Sequence, residues 1–303
     1  MAKLLDYHAP RIKKGISNPE RFLRYSYESI LGRIKLQYNR GYQAPSDGKL
    51  IHENWDVLAV LDACRYDCLA KLDPYKQRCQ KRISQAPNTR LWFRENFIKV
   101  PENVLSNIVY VSANPMASSN HFDVGCFHHF EEVFEYGWDS KHNSVHPDIV
   151  MRNALRLQER YPNKRLIVHF IQPHGPLVGS ERPELSENQF AALRQGSVTL
   201  ERVKQAYRQC LQYVLDEGID PLIKYTSGKI VVTSDHGEAF GEYGIYAHPP
   251  WANSKPLLEV PWIELTGDKE PLPAEMLGNT DAEGDGLGLT VEEKLQHLGY
   301  KYD

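Results

Sequence analysis

The sequence predicts an α/β protein built on a mainly parallel, doubly wound sheet flanked by helices. Two apolar runs, Val57–Leu61 and Lys229–Thr233, have the composition of strands that are covered on both faces, which is typical of parallel sheets. Segments with helical patterns alternate with such runs along the chain, as βαβ units require. With 303 residues, the chain is long enough for one large domain with its own core.

The first predicted element is a helix that lies outside this sheet domain. Asn18 and Pro19 form a helix start, and the segment Arg21–Leu36 that follows is basic and amphipathic. Lysine and arginine number nine in the first 41 residues against three acidic residues, so this helix could lie on an anionic membrane surface or a partner protein, or pack on its own domain. We predict a basic helical extension over residues 1–50 and one main domain over residues 51–303.

Strands and helices then alternate across the main domain. After Val57–Leu61, strands are predicted near Asn107–Val111, Leu166–Ile171, Lys229–Thr233 and Pro261–Leu265. Helices are predicted at the crossover that contains Cys64 and Cys68, at Pro147–Arg160 and at Leu200–Leu215. A sheet of at least five strands, mainly parallel, is therefore expected.

Acidic residues follow two of the predicted strands. Asp62 comes directly after the first strand, and Asp235 and His236 follow the Lys229–Thr233 strand after one serine. Ligands bind at the carboxyl edge of open α/β sheets, and a doubly wound sheet would bring both strand ends to that edge. Carboxylate and imidazole together suit a divalent cation such as Zn²⁺ or Mn²⁺. Alternatively, Asp62 is a helix N-cap and Asp235 caps a turn.

A hydroxyl residue begins another predicted helix. Pro87 and Asn88 indicate a turn, and Thr89 opens the helical segment after it. The free backbone N–H groups and the dipole of a helix N-terminus favour an anionic phosphoryl group. A divalent metal there would lower the pKa of the hydroxyl and make it a nucleophile. Alternatively, Thr89, Asn88 or Ser84 only caps the helix.

Together these features resemble the alkaline phosphatase/sulfatase superfamily, and its sulfatase-like hydrolases most closely. The block Asp235–His248 follows the pattern DHGE-x-x-GE-x-G…H, and Leu166–Leu177 is similar to the strand that ends in PH-x-P. Leu298–Tyr300 is similar to the LGY with which many members close, so the resemblance covers residues 54–300. His169 lies inside one of these strands, and we expect it to be a core histidine rather than a ligand.

One departure from the sulfatase pattern bears on the chemistry. Sulfatases carry Cys or Ser in a C/S-x-P-x-R motif that is oxidised to formylglycine, but none of the five cysteines here is followed by x-Pro-x-Arg. The matching place holds Asn88-Thr89-Arg90, as in branches that include phosphodiesterases, phosphatases and phosphoglycerol or phosphoethanolamine transferases. The resemblance implies a metal-dependent hydrolase or transferase of phosphate esters. A sulfate ester hydrolase, a catalytically silent binding or assembly module, and a phosphomutase or isomerase of the same superfamily are the alternatives.

The resemblance also implies the metal ligands and the nucleophile. One divalent ion (Mn²⁺, Zn²⁺, Mg²⁺ or Ca²⁺) would be held by Asp62, Thr89, Asp235 and His236. Thr89 would attack phosphorus and form a phospho-threonine, which water or an acceptor alcohol would then resolve. The metal would activate the attacking oxygen and neutralise charge on the transferring group.

The remaining site residues are implied in the same way. His174 and His248 would contact the substrate or the leaving group, and His248 could alternatively help bind a second ion. Two-metal members supply an Asp where this chain has Gln172, which favours one ion. Arg65 and Arg90 could bind phosphate oxygens, or either could be a surface helix residue.

Composition and charge bear on the partners and the setting. A net charge of −3 gives no support for nucleic-acid binding, and the expected substrate is a phosphate ester of a glycan, lipid head group or nucleotide. Five cysteines without disulfide spacing predict reduced thiols and an intracellular setting. No apolar run approaches the roughly 18 residues of a membrane span, and the N-terminus lacks the apolar core of a signal peptide. We therefore expect a cytoplasmic protein, in which the basic helix could make peripheral contact with the inner membrane surface.

Overall fold

The structure is a computed structural model that describes residues 50–76, 78–98, 100–179, 189–277 and 288–300. Its strands in chain order are β1 (Val57–Leu61), β2 (Gln80–Ile83), β3 (Ile108–Ser112), β4 (His129–Glu132), β5 (Trp138–Asp139), β6 (Ser144–Val145), β7 (Arg165–Phe170), β8 (Lys229–Thr233), β9 (Ala239–Phe240), β10 (Tyr246–Ala247) and β11 (Glu259–Thr266). Seven of them form the central sheet, in the order β2-β11-β8-β1-β7-β3-β4. The other four form two short hairpins, β5–β6 and β9–β10.

Strand β1 lies in the middle of this sheet and pairs in parallel with both β7 and β8. On the far side of β7, β3 also pairs in parallel with β7 and with the edge strand β4. Strand β11 runs antiparallel to its neighbours β8 and β2. All residues of β1 and β3 are buried, which explains their continuous apolar sequences. The predicted mainly parallel sheet is confirmed.

Helices cover both faces of the sheet. They are α1 (Tyr66–Leu72), α2 (Thr89–Phe97), α3 (Glu102–Leu105), α4 (Pro147–Arg160), α5 (Gln189–Gln195), α6 (Leu200–Val214), α7 (Asp220–Tyr225), α8 (Lys255–Leu258), α9 (Ala274–Leu277) and α10 (Val291–His297). Alternate residues of β1 enter two separate cores: Val57, Ala59 and Leu61 pack in the core that includes α4 and α6, and Leu58 and Val60 pack in the core that includes α2. This arrangement is the predicted doubly wound one.

The bounds of β1, β8 and α4 agree with the sequence prediction. The predicted strand at Pro261–Leu265 is the longer β11, and it is antiparallel. The crossover helix α1 begins at Tyr66, so Cys64 precedes it in a loop, where its N–H donates to the Ser234 hydroxyl at 2.8 Å. The predicted basic helix Arg21–Leu36 lies outside the described residues, so the division between residues 1–50 and 51–303 stays a prediction.

Candidate functional site

Four adjacent strands bring polar residues to one edge of the sheet. Asp62 follows β1, Asp235 follows β8 after Ser234, and Asn114 lies two residues after β3. His169 is the last residue but one of β7. Because β8, β1, β7 and β3 are neighbours and parallel, their carboxyl ends lie side by side, where α/β sheets bind ligands.

Thr89 is the first residue of α2, and its hydroxyl faces this edge of the sheet. The helix is capped by Asn88, whose side-chain oxygen accepts the N–H of Leu91 at 2.9 Å. The Thr89 hydroxyl is fully buried and donates instead to Oδ2 of Asp235 at 2.7 Å. Asn88, and not Thr89, is therefore the residue that caps the helix. The hydroxyl of Thr89 is not used for capping and faces the candidate site.

The four predicted metal ligands form one compact group. Nε2 of His236 lies 3.3 Å from Oγ1 of Thr89, 3.3 Å from Oδ2 of Asp235 and 3.4 Å from Oδ1 of Asp62. All four residues are at most 1% exposed. These separations match the edge of a tetrahedron with metal–ligand bonds of about 2.1 Å, which is roughly 3.4 Å.

Burial works against the negative charges of this group. Burial raises the pKa of Asp62 well above its ordinary value, and the charges of Asp235 and Glu238 raise it further, against a hydrogen bond of 2.5 Å from Nδ2 of Asn114. Burial also raises the pKa of Asp235, although His169 and several hydrogen bonds act in the opposite direction. A cation between the two carboxylates would offset both effects.

His236 presents a nitrogen lone pair to the same group. Its Nδ1 lies 2.8 Å from the carbonyl oxygen of Gly237, and because a carbonyl only accepts, Nδ1 carries the proton. Burial, with a contribution from His248, holds the pKa of His236 well below its ordinary value. The ring is therefore neutral, and Nε2 is free to bind a metal, in the arrangement usual for metal-bound histidines.

Two buried polar atoms have no hydrogen-bond partner here: Oδ1 of Asp62, within this group, and Nε2 of His169, beside it. Buried polar atoms are seldom left unpaired in proteins. The ligand atoms of Asp62, His169 and Asp235 all lie within 4.8 Å of one another. Unpaired oxygen and imidazole nitrogen atoms converging on one buried point fit a divalent cation, so the residues present agree with the predicted metal.

A second group of histidines lies beside the first. The ring centroid of His248 lies 4.6 Å from that of His236 and 4.9 Å from that of His174. Nδ1 of His174 donates to the carbonyl of Gly175 at 2.5 Å, which leaves its buried Nε2 unpaired. Nδ1 of His248 lies 3.2 Å from Oε1 of Glu238. The ligand atoms of His174, Glu238 and His248 lie within 4.8 Å of one another, so this group could contact a substrate or hold a second cation.

The charge state of His174 and the contacts of Gln172 bear on that choice. Burial, then His248 and His236, holds the pKa of His174 well below its ordinary value, so its ring is neutral. Gln172 donates from Nε2 to the Ser144 hydroxyl at 3.1 Å and to the carbonyl of Val145 at 2.9 Å. Gln172 thus supports the β5–β6 hairpin, and the number of ions stays a prediction.

The two predicted phosphate-binding arginines lie in different environments. Nε and Nη2 of Arg65 each donate to the Asp67 carboxylate at 2.8 Å, and Nη1 donates to Oε1 of Glu242 at 2.7 Å and to the carbonyl of Glu238 at 3.0 Å. Arg65 is therefore held by acceptors of the protein itself. Arg90 is exposed in the first turn of α2. Phosphate contact by either arginine stays a prediction.

Asn114 and His169 also lie at this candidate site. In the sequence, His169 has the pattern of a core histidine, and no motif singles out Asn114. Nδ2 of Asn114 lies 3.4 Å from Oγ1 of Thr89, in addition to its bond with Asp62. One nitrogen of His169 is satisfied in the core, because Nδ1 bonds to the hydroxyl of Tyr110 at 2.8 Å. Its other nitrogen, Nε2, faces the site and lies 3.8 Å from Oδ2 of Asp235. A polar residue just after a predicted strand was the available signal for Asn114, as it was for Asp62.

Tyr300, the last residue of the LGY motif, also reaches the site. Its hydroxyl lies 3.4 Å from Oγ1 of Thr89. Its ring stacks on His174, with centroids 5.6 Å apart and planes 5° apart, and lies 5.6 Å from the ring of His248. Burial raises the pKa of Tyr300 well above its ordinary value, with Asp62 adding to the effect, so the phenol keeps its proton. The LGY motif includes Tyr300, but nothing in the sequence indicated that Tyr300 contacts Thr89.

Gly237 allows the loop after β8 to pack closely. A Cβ at this position would lie 2.0 Å from the carbonyl oxygen of Pro256, which is backbone and has little room to move. The N–H of Gly237 donates to the carbonyl of Leu257 at 2.8 Å, and the Ser84 hydroxyl bonds to the carbonyl of Asp235. These contacts fix the direction in which the Asp235 and His236 side chains leave the backbone.

The fold is a mainly parallel α/β sheet, and the buried group at the carboxyl edge of that sheet has residue types that suit a divalent metal. The family model described as Sulfatase matches residues 92–272, which is more than half of the chain. The chain therefore belongs to the sulfatase family, and the predicted place in the alkaline phosphatase/sulfatase superfamily is confirmed. Members of this superfamily are hydrolases and transferases that use divalent metal ions. No curated protein sequence matches the chain significantly.

Several solved structures resemble the fold at low sequence identity. The integral membrane protein lipooligosaccharide phosphoethanolamine transferase A (EptA) from Neisseria meningitidis is 15% identical with a TM-score of 0.50, over 89% of this chain and 59% of that one. The C-terminal periplasmic domain of EcEptC from Escherichia coli, solved as a complex with Zn, is 13% identical with a TM-score of 0.48, over 73% and 76%. A 2-O GAG sulfatase is 12% identical with a TM-score of 0.46, over 83% and 71%.

The predicted cytoplasmic location is contradicted by these comparisons, because EptA, whose fold this chain resembles, is an integral membrane protein. The prediction rested partly on the cysteines, and all five are indeed free. Cys64 and Cys210 are fully buried in the core, where a thiol packs as a small apolar group whatever the redox conditions outside. Among the described residues, no helix has both the length and the apolar character that crossing a membrane requires.

Proposed function

We propose that this protein transfers the phosphoryl group of a phosphate ester, with Thr89 as the nucleophile. One observation carries the proposal. Asn88 caps α2, so the Thr89 hydroxyl is available to donate to Asp235 at 2.7 Å. The same group contains an unpaired oxygen of Asp62. A hydroxyl, a proton acceptor and a candidate cation site within bonding distance of one another are the parts that an activated alcohol nucleophile needs.

Asp62, Thr89, Asp235 and His236 would hold the divalent ion, with His169 adjacent to them. When bound, the ion supplies positive charge that lowers the pKa of the hydroxyl and offsets charge on the phosphoryl oxygens. The protein itself positions the hydroxyl at the start of α2, where the helix dipole also favours an anion.

In the first step, Oγ1 of Thr89 forms a bond to phosphorus and the ester P–O bond breaks. Oδ2 of Asp235, which already accepts the hydroxyl proton, is the atom that can take it. In the second step, water or an acceptor alcohol attacks the phosphorus of the phospho-threonine from the side that the first leaving group occupied. The bond between phosphorus and Oγ1 then breaks and frees Thr89.

The leaving oxygen needs a proton, and His248 is the residue best placed to provide it. With its Nδ1 proton held by Oε1 of Glu238 at 3.2 Å, His248 can donate from Nε2 only as an imidazolium, so it would enter this step with a proton on both nitrogens and leave it neutral. His174 is neutral and protonated on Nδ1, so its Nε2 can accept a hydrogen bond from a substrate hydroxyl but has no proton to donate.

A phosphate-containing glycan, a lipid head group and a nucleotide remain the candidate substrates. The phosphoethanolamine transferases and the sulfatase that resemble this fold are named for group transfer and ester hydrolysis, and transfer to an alcohol is as consistent with the site as hydrolysis. Sulfate ester hydrolysis has less support, because the nucleophile position holds Thr89 and none of the five cysteines.

The test is turnover of chromogenic aryl phosphate mono- and diesters with Mn²⁺, Mg²⁺, Zn²⁺ or Ca²⁺. Thr89→Ala should reduce kcat by about a thousandfold or more, as loss of a nucleophile does in other enzymes, and intact-mass spectrometry should detect a phosphorylated intermediate only in proteins with a hydroxyl at this position. The matched control is Thr199→Ala, which removes the cap of α6, where Thr199 accepts the N–H of Arg202. It should lose about 1 kcal/mol of stability and no activity.

Other outcomes separate the alternatives. Full activity in Thr89→Ala would exclude this nucleophile. Turnover of an aryl sulfate that exceeds turnover of the phosphate esters would favour the sulfatase alternative, and a protein that binds no divalent ion would favour the silent binding module.

A further inference from the structure

We propose a separate Zn²⁺ site formed by Asp139, His142 and His146. Asp139 ends β5, His142 lies in the turn of the β5–β6 hairpin, and His146 is the N-cap of α4. The site shares no residue with the group around Thr89 and does not depend on the proposed function. One carboxylate and two imidazoles are ligands that Zn²⁺ binds well, and three protein ligands leave a fourth position for water.

The three candidate ligand atoms already converge. Oδ2 of Asp139 lies 2.5 Å from Nδ1 of His142 and 2.7 Å from Nε2 of His146. Tetrahedral Zn²⁺ with bonds of about 2.0–2.1 Å needs ligand atoms roughly 3.3 Å apart, so these side chains would have to separate by less than about 1 Å. The side chains are between 24% and 37% exposed, which lets an ion enter and gives them room to move.

The hairpin fixes which atoms meet. Oδ1 of Asp139 accepts the backbone N–H groups of Lys141 at 2.8 Å and His142 at 3.3 Å, so Oδ2 is the oxygen left for the imidazoles. Asn143 has a φ of 50°, a left-handed conformation that asparagine tolerates better than most residues. This conformation closes the turn and keeps His142 beside Asp139.

Tyr213 on α6 supports His146 from its other side. Its hydroxyl lies 2.8 Å from Nδ1 of His146, the ring nitrogen that does not face Asp139. Burial raises the pKa of Tyr213 to about 12, so the phenol is neutral and its oxygen can accept a hydrogen bond from Nδ1. A histidine that binds metal through one nitrogen almost always donates a hydrogen bond from the other, and here that partner is in place.

The same contacts also describe a hydrogen-bonded triad without metal, and the experiment must separate the two. Burial acts to raise the pKa of Asp139, but hydrogen bonds from His142 and His146 lower it overall. In the triad both imidazoles keep a proton on the nitrogen that faces Asp139. Zn²⁺ would take the place of those two protons, each of which would move to the other nitrogen of its ring or to solvent. Uptake of the ion, rather than contact geometry, therefore distinguishes the alternatives.

The proposed Zn²⁺ site would make the hairpin that supports the Gln172–His174 segment more rigid. Gln172, two residues before His174, donates to Ser144 and Val145 of β6. A cation that joins this hairpin to the start of α4 would thus hold the strand against which the Gln172–His174 segment rests.

Zinc uptake by the full-length protein provides the test. Metal-stripped protein is titrated with zinc chloride in a calorimeter, and the bound zinc is counted by mass spectrometry after gel filtration. His142→Ala and the shape-conserving His142→Gln should each bind one equivalent fewer than wild type, whereas the matched control His128→Ala, which alters an exposed histidine outside the cluster, should bind as many as wild type. Circular dichroism checks that each variant is folded.

A second arm separates this site from the catalytic one. The double variant Asp235→Asn, His236→Gln removes two catalytic ligands, and adding His142→Ala to it should again reduce uptake by one equivalent. Equal uptake with and without His142, in both backgrounds, would overturn the proposal and identify the cluster as a hydrogen-bonded triad. Either result leaves the assignment of Thr89 as nucleophile unaffected.

Discussion

Asp62→Asn should stabilise the metal-free protein and destabilise the metal-loaded one. Without an ion, Asp62 has an unpaired oxygen in a fully buried group that also contains Asp235. The amide is nearly the same shape, and its oxygen can still accept the hydrogen bond from Asn114. The substitution therefore removes a charge and a metal ligand while changing the packing little.

The magnitude follows from the separation of the charges. The ligand oxygens of Asp62 and Asp235 lie within 4.8 Å, and two unit charges at that distance repel by about 3.5 kcal/mol at an effective dielectric constant of about 20. Wild type avoids part of this repulsion because the raised pKa of Asp62 favours the neutral form of its carboxyl group. A gain of about 1–3 kcal/mol in the unfolding free energy of metal-free Asp62→Asn at pH 8 is therefore expected.

The gain should depend on pH in a defined direction. The pKa of Asp62 is higher in the folded than in the unfolded state, so the folded protein keeps a proton that the unfolded chain releases. The stability of metal-free wild type must then fall as the pH rises from about 4 through the raised pKa. The variant lacks this contribution, so its advantage is close to zero at pH 4 and grows towards pH 8.

Urea denaturation with chelator and with saturating metal measures both effects. Metal should raise the unfolding free energy of wild type much more than that of Asp62→Asn, because ligand binding stabilises only the state that binds. The control Asp148→Asn removes a carboxylate that is 32% exposed and pairs with Arg152 at 3.5 Å, and it should change stability by less than about 1 kcal/mol in either condition. The reasoning is refuted if metal-free Asp62→Asn is less stable than wild type at pH 8.

Two further substitutions test the surroundings of the centre. Tyr300→Phe should lower kcat about tenfold, the equivalent of one lost hydrogen bond of about 1.4 kcal/mol, without changing the bound metal; steady-state kinetics and metal analysis measure both, and an unchanged kcat would remove Tyr300 from the site. Gly237→Ala should cost about 2 kcal/mol or more of unfolding free energy and weaken metal binding, since its Cβ would lie 2.0 Å from a carbonyl oxygen. Gly125→Ala, whose Cβ would meet only Asp123 at 3.4 Å, is the control, and equal effects in denaturation and metal titration would contradict the argument.

The fold was predictable because burial on both faces leaves a strong pattern in the sequence. β1 and β8 are continuous apolar runs with clear ends, and α4 begins with proline at its first position, so their bounds could be derived. The edge strands β2 and β4 have no fully buried residue, and no apolar run in the sequence marks them. The seven-stranded width of the sheet therefore required the structure.

The site was predictable where motif residues lie at strand ends, and less so where chemistry depends on distant contacts. Asp62 and Asp235 could be paired because parallel strands end at one edge. Tyr300 could not be placed, because its contact with Thr89 spans 211 residues and depends on how α10 packs. His169 could not be distinguished from a core histidine, because one nitrogen is bonded in the core and the other faces the site.

The charge balance of the site explains why metal and substrate should bind together. His236 and His174 are neutral, and the positive charge of Arg65 is already balanced by Asp67 and Glu242. Among the described residues, the buried group around Thr89 therefore contributes carboxylates and no fixed positive charge. An anionic phosphate placed against it would be repelled at short range in a medium of low dielectric constant. A divalent ion would cancel the charge of the Asp62 and Asp235 carboxylates and remove this repulsion, so substrate affinity, and not only kcat, should fall when the ion is removed.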